Sequence, residues 1–251
     1  MKVKLLFTLI VLFGFGVSSW AQENKETEWI KVYFNMPGDS SVMQGVNISN
    51  DSWDLISTLE NLIDSADFSV DLAIYDIEEM RVAEALARAK ARGVRVRIVT
   101  DNHNRTDAGI LDEKIWEAFR KADITSIDDD GDVYLPNGEI LDNDLVNDGA
   151  DMHHKFAVID ALSENKNDDY VWTGSTNLTY TGAYNTNNTI VIKDAEVAAV
   201  YLEEFEQMWG SDNEKPNPDR ALFHKDKRDV SAHVFNVNGI KIEIYFAPIN
   251  R

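Results

Sequence analysis

Residues 68–100 constrain the fold more than any other stretch. Residues 68–75 are apolar and β-branched enough for a strand. Residues 81–91 are rich in alanine and read as a helix, which Arg92 and Gly93 end, glycine being the natural residue past a helix C-terminus. Residues 94–100 alternate apolar with Arg or Thr and read as a second strand, closing at Asp101. Upstream lie a strand over 29–34 and a helix over about 53–65. Asp51 or Ser52 is its expected cap, and Leu55, Ile56, Leu59, Leu62 and Ile63 share one face. The order β-α-β-α-β predicts an α/β sheet with crossover helices, mixed but mainly parallel and flanked by helices.

The remaining elements extend this pattern. Residues 111–122 read as a helix and 124–127 as a short strand. A run of carboxylates follows, from Asp128 to Asp132 and on to Asp151. The calcium-loop template fails here: with Gly131 at its sixth position, Ser126 would be the first ligand and Asn137 the last. The expectation is a solvated acidic loop. Residues 189–192 read as a strand, and Asp194 as the cap of a helix over 195–209 that buries Val197, Val200, Tyr201, Phe205 and Trp209. Residues 211–231 read as a polar, solvated linker holding a small basic cluster of His224, Lys225, Lys227 and Arg228. Within 232–251, the strand-like stretch 239–248 echoes residues 29–37: both alternate, reach Tyr-Phe and then proline.

Charge and cysteine content bound the function. The net charge of −20 repels nucleic acid and anionic membrane wherever basic residues are not locally clustered. The sequence holds no cysteine, which excludes disulfides, a lipidated cysteine and any cysteine metal site. Residues 1–21 read as a bacterial-type signal peptide: Lys2 and Lys4, an apolar run from Leu5 to Val17, and a small-x-small site at Ser19-Trp20-Ala21. An uncleaved anchor is the alternative. The expected location is secreted or periplasmic.

The chemistry concentrates in residues 151–177. On a strand, His153 and Lys155 point the same way and His154 the other. An imidazole beside an ammonium makes an anion site, and like-charge repulsion favours the neutral, nucleophilic imidazole. Asp160 is an odd number of residues from Lys155, so it faces away and is expected to hold backbone or loop. Gly174, Ser175 and Asn177 end a neighbouring strand in a tight turn whose hydroxyl, amide and N–H groups suit phosphate oxygens. His103 and Arg105, beyond a strand's C-terminal end, are candidate substrate contacts.

His153-x-Lys155-x4-Asp160, followed by Gly174-Ser175-x-Asn177, resembles the HKD motif of the phospholipase D superfamily, and the resemblance runs from about residue 29 to 210. It implies that superfamily's α-β-α sandwich and phosphodiester cleavage without metal or cofactor. His153, Lys155 and Asp160 would form the catalytic set, with Ser175 and Asn177 on the phosphate and Gly174 in support. Many relatives have an acidic residue, orienting the catalytic histidine, where this chain has Asn187. Two HKD halves normally share one active site, and this sequence holds one motif. That implies either truncation before a second half or a homodimer with the site at its interface. A phospholipid is the expected substrate. A homodimeric nuclease acting on DNA or RNA, and a non-catalytic half-domain binding a partner, are the alternatives.

Overall fold

In this computed structural model, the described residues are 29–35, 54–106, 110–143, 150–229 and 231–247. The expected signal peptide, the candidate caps Asp51 and Ser52, and most of the loop after residue 35 lie outside them.

In chain order the strands and helices are β1 (Ile30–Phe34), α1 (Leu55–Ser65), β2 (Ser69–Ile74), α2 (Met80–Ala91), β3 (Arg95–Thr100), α3 (His103–Thr106), α4 (Ile110–Lys121), β4 (Ser126–Asp128), β5 (Val133–Tyr134), β6 (Ile140–Leu141), β7 (Lys155–Ile159), β8 (Tyr170–Gly174), α5 (Tyr180–Tyr184), β9 (Asn188–Lys193), α6 (Ala195–Trp209), β10 (Val234–Val237) and β11 (Ile240–Glu243). The first nine strands form one sheet in the order β1-β9-β8-β7-β2-β3-β4-β5-β6. The α/β class and the mixed sheet stand. The balance of strand directions is corrected: β2, β3 and β4 are parallel neighbours, whereas every other adjacent pair is antiparallel. Crossover helices impose parallel pairing only on β2–β4. Short turns make antiparallel hairpins of β4–β5 and β5–β6, and longer connections join β7 to β8 and β8 to β9. β1 and β2 pair antiparallel with the sequence-distant strands β9 and β7.

Period-2 alternation gives the sheet two apolar faces. Val70, Leu72 and Ile74 of β2 pack under α1, α2 and α4, with Leu59, Leu86 and Phe119 in the same cluster. Ala73, Val99, Val158 and Val171 face the other way, onto Val197, Phe205 and Trp209 of α6. The molecule is therefore a helix–sheet–helix sandwich. The cap of α1 is Asp54, which accepts from Ser57 N–H at 3.2 Å. Asp194 caps α6 as expected, accepting from Glu196 and Val197, and Gly210 ends that helix in the left-handed conformation at φ 74.

The segment after α6 is not a solvated linker. Ala221, Phe223 and Lys227 are buried, and two 3-10 turns, Pro218–Arg220 and His224–Asp226, lay it along α6. The strand resembling β1 forms a hairpin with β10 instead of joining the large sheet. Phe246 then turns inward, 5.0 Å from the Tyr201 ring.

Candidate active site

Strand direction assembles the site. Because β7 runs antiparallel to β2, and β2 parallel to β3, the start of β7 lies beside the C-terminal ends of β2 and β3. His153 and Lys155 therefore meet Tyr75, Asp101 and His103. Tyr75 N–H donates to the His154 carbonyl at 2.8 Å, extending the ladder. Buried Asn104 staples the ends of β2 and β3. Its amide NH2 reaches the Tyr75 carbonyl at 2.6 Å and Thr100 Oγ1 at 2.7 Å, and its oxygen accepts from Ile77 N–H at 3.0 Å.

The structure brings His153 and Lys155 together. Lys155 Nζ lies 3.3 Å from His153 Nδ1 and 3.5 Å from Nε2, and donates to the His153 carbonyl at 3.2 Å. It also sits over the Tyr75 ring, 4.8 Å from its centroid. His153 is exposed whereas Lys155 is buried. Burial pulls the Lys155 ammonium down to about 8, against the pull of Asp76, Asp101 and Asp151. Burial also lowers His153 below the ordinary imidazole range, and the Lys155 charge adds to the shift. The expected direction is met, but desolvation is the larger cause and like-charge repulsion the smaller.

His154 faces the opposite side, as alternation requires. Its Nε2 lies 2.8 Å from Glu204 Oε1 and 2.8 Å from Lys227 Nζ, and Lys227 also pairs with Glu204. Burial holds the His154 pKa down against the Glu204 hydrogen bond. Lys227, expected on a solvated linker, instead ties the C-terminal segment to the far face of β7.

Asp160 lies at the other end of β7. It adopts φ 60, a left-handed conformation that Asp and Asn tolerate. Its carboxylate accepts the N–H groups of Asp67, Phe68 and Ser69 at 3.0, 2.7 and 2.8 Å. Seven residues along the chain from His153, at about 3.3 Å per residue, it is placed to hold the α1–β2 connection.

Gly174, Ser175, Asn177 and Asn187 line the turn between β8 and β9. A side chain at Gly174 is excluded: φ is +151, and a Cβ would stand 2.3 Å from the Asn188 carbonyl oxygen. Ser175 Oγ donates to Asn187 Oδ1 at 2.9 Å and accepts from Asn188 N–H at 3.0 Å, so it shapes the turn. The Asn177 side-chain oxygen is buried without a hydrogen-bond partner among the described residues. Asn187 does not orient His153 here. Its amide oxygen accepts from Ser175, and its NH2 donates to the Gly182 carbonyl at 2.7 Å. A carboxylate could not make that second bond.

A cleft of ≈ 700 Å³ opens beside His153 and Lys155. Tyr201, Met208, Phe223 and Phe246 give it an apolar wall, and His224, Lys225 and Lys227 a basic one. His224 Nε2 lies 3.1 Å from Asp129 Oδ2. The Arg105 side chain lies outside the described residues.

The start of the acidic run is not solvated either, whereas Asp142 and Asp151 are exposed. Asp128 and Asp129 are 1% and 2% exposed. Asp128 Oδ1 accepts the N–H groups of Asp130 and Asp132 at 3.1 and 3.0 Å, and Tyr134 donates to its other oxygen. Burial raises Asp128 to about 7 and Asp129 to about 8. Among the described residues, no three His, Cys, Asp or Glu side chains are disposed to hold a metal ion.

Sequence reasoning missed Tyr75 and Asp101 as parts of the site. Both stand at strand C-terminal ends, the position that already marked His103.

A strand-end histidine and lysine over this sandwich define a phospholipase D-like domain, and the chain belongs to that family. The family model described as "Cardiolipin synthase, PLD-like domain" matches residues 59–209. The human mitochondrial cardiolipin hydrolase is 29% identical over 174 residues, covering 69% of this chain and 56% of that protein. The Chlamydomonas reinhardtii protein of the same name is 26% identical over 155 residues, covering 61% and 57%. The chain spans about half the length of these curated relatives. Among solved structures, the phospholipase D family member Nuc from Salmonella typhimurium aligns with a TM-score of 0.49 at 22% identity, covering 72% of this chain and 93% of Nuc.

Proposed function

We propose that the chain is an exported phosphodiesterase that cleaves phospholipid head-group esters through a phosphohistidine on His153, without a metal. The observation that carries this reading is the His153–Lys155 pair: an imidazole held neutral at the mouth of a cleft, 3.3 Å from an ammonium. A neutral imidazole attacks phosphorus, and Lys155 stabilises the charge on the non-bridging oxygens. Asn177 is the second phosphate contact, through its side-chain NH2, the donor that a phosphate oxygen requires. The apolar wall of the cleft and the cardiolipin hydrolases among the relatives support a lipid diester over nucleic acid. The single motif supports a homodimer whose two sites meet at the interface.

The test assays mature protein on phosphatidylcholine vesicles, cardiolipin vesicles, and single- and double-stranded DNA, each with and without His153→Ala. Head-group release that His153→Ala abolishes is the expected result. DNA cleavage with inert lipid would establish the nuclease reading. No turnover of any of them would leave a partner-binding half-domain. Solution mass, measured alongside, tests the dimer.

A further inference from the structure

Two chemistries meet in the cleft of ≈ 700 Å³. One part of its lining is His153 and Lys155; another is a wall of aromatic and apolar side chains that phosphate binding does not require. We propose that this wall is a subsite for a hydrocarbon chain of the diester, and that Phe246 and Tyr201 set which chains the site accepts.

Much of the wall comes from outside the matched domain. The family model spans residues 59–209, whereas Phe223, Tyr245 and Phe246 follow it, and Tyr201 and Met208 of α6 complete the lining. Two buried polar contacts hold the added segment in place. His224 Nε2 is 3.1 Å from Asp129 Oδ2. Lys227 pairs with Glu204, and its Nζ is 2.8 Å from His154 Nε2. Lifting the segment away would leave buried polar groups unpaired, so the wall is tied to the strand that carries His153 and Lys155.

The wall is continuous with the reacting centre. β7 and its approach present His153 and Lys155 on one face and His154 and Phe156 on the other. Phe246 lies against that second face, 5.9 Å from the His154 ring and 6.3 Å from the Phe156 ring. A diester with its phosphorus at His153 can therefore lay one substituent over the start of β7 onto Phe246.

Ring geometry favours a chain over a nucleobase. Tyr201 and Phe246 meet edge to face, with centroids 5.0 Å apart and planes at 90°. Phe246 meets His154 at 81°, and Phe156 meets Tyr201 at 75°. Tyr245, which is 56% exposed at the same cleft, has one face stacked on His233 at 4.6 Å. Rings so engaged form no parallel slot for a base among the described residues. Phe246 and Tyr201 are half-buried, so each keeps apolar surface accessible to a flexible chain. The opposite lining, with His224, Lys225 and Lys227, is basic, which gives the cleft the two-sided character of an anionic amphiphile's site.

The inference rests on the phosphodiesterase reading for its substrate, but binding tests it without turnover. Titration calorimetry on the mature protein uses butyl, hexyl and octyl phosphate, each below its critical micelle concentration, and thymidine 5′-phosphate. Affinity should rise about two- to fourfold per methylene until the cleft is filled, making octyl phosphate at least about tenfold tighter than butyl phosphate. Phe246→Ala and Tyr201→Ala should each cut the octyl-to-butyl ratio by about fivefold or more. Phe246→Gln, which keeps a long side chain but puts an amide in the wall, should do the same and covers the case in which the alanine variant does not fold. Equal affinities along the series, no binding of octyl phosphate, or a ratio that these substitutions leave unmoved would overturn the proposal. Tighter binding of thymidine 5′-phosphate than of octyl phosphate would overturn it in favour of a nucleobase subsite. The catalytic reading is tested separately by turnover with and without His153→Ala: chain-length-dependent binding in a protein that cleaves no diester would uphold the subsite and sink the reaction.

Discussion

Asp160 is a motif residue that the fold uses as a bracket, and this leads to a sharp prediction. Its buried carboxylate accepts three backbone N–H groups, among them that of Ser69, which opens β2 and is fully buried. Hydrogen bonds to a charged acceptor contribute about 1.5–3 kcal/mol each, and stranding a buried donor costs about 1–3 kcal/mol. Asp160→Asn keeps one acceptor oxygen and tolerates φ 60, so it should cost about 2–3 kcal/mol. Asp160→Ala loses all three bonds and adds a left-handed alanine at about 1 kcal/mol, for a total of about 4–5 kcal/mol. For a domain of this size each kcal/mol lowers Tm by about 2–4 °C. The alanine variant should therefore melt roughly 10–15 °C lower and the asparagine variant roughly 5–10 °C lower. Asp160 is at the far end of β7 from His153, so kcat at 15 °C, per folded molecule, should stay within about twofold of wild type for Asp160→Asn. Calorimetry and turnover on the same sample decide the matter. A variant with unchanged Tm and turnover reduced by about a hundredfold would refute the bracket and place Asp160 in the chemistry.

Three further outcomes follow from the site. The pH profile of kcat/KM should be bell-shaped: the acid limb lies below the ordinary imidazole value, because His153 must be neutral and its pKa is depressed, and the alkaline limb lies near 8, where Lys155 loses its proton. Lys155→Arg should remove that alkaline limb, since guanidinium does not deprotonate in this range. For Asp128 and Asp129 the folded-state pKa values stand above the unfolded one, so their contribution to stability is complete below pH 3.8 and is lost as pH rises through about 7 to 8. Asp129→Asn should therefore raise Tm at pH 8.5 relative to wild type and much less at pH 4, by differential scanning calorimetry. Gly174→Ala must move Asn188 or the turn, and should lose at least about tenfold in activity and about 1–3 kcal/mol in stability.

Local pattern made much of the site legible. Strand alternation predicted that His153 and Lys155 share a face, that His154 opposes them and that Asp160 turns away, because the period of side-chain direction in a strand is fixed by the backbone alone. The Asp194 cap and the apolar stripes were legible for the same reason, since a residue and its neighbours one turn away settle them, whereas α1 is capped by Asp54 and not by Asp51 or Ser52 as expected.

Solvation was not legible, because it depends on what arrives from elsewhere in the chain. The carboxylates of 128–132 look like a solvated loop until Asn102, Tyr134 and His224 close around them. Arg95 and Arg97 alternate as on a half-exposed strand, yet α6 covers that face. Arg97 is fully buried on Asp71 at 2.6 Å, with Phe205 over its guanidinium at 4.9 Å.

By itself, then, the sequence determined the α/β class, the spacing of the His–Lys pair and the position of the turn at residues 174–177, all of which follow from local backbone periodicity, while the sandwich was what the family resemblance implied. Only the tertiary structure decided strand direction across most of the sheet, the burial that lowers His153 and Lys155, and the meeting of His103, Tyr75 and His153 over Asp101. Those depend on contacts between residues distant in sequence, and desolvation of a charge is a property of everything packed around it.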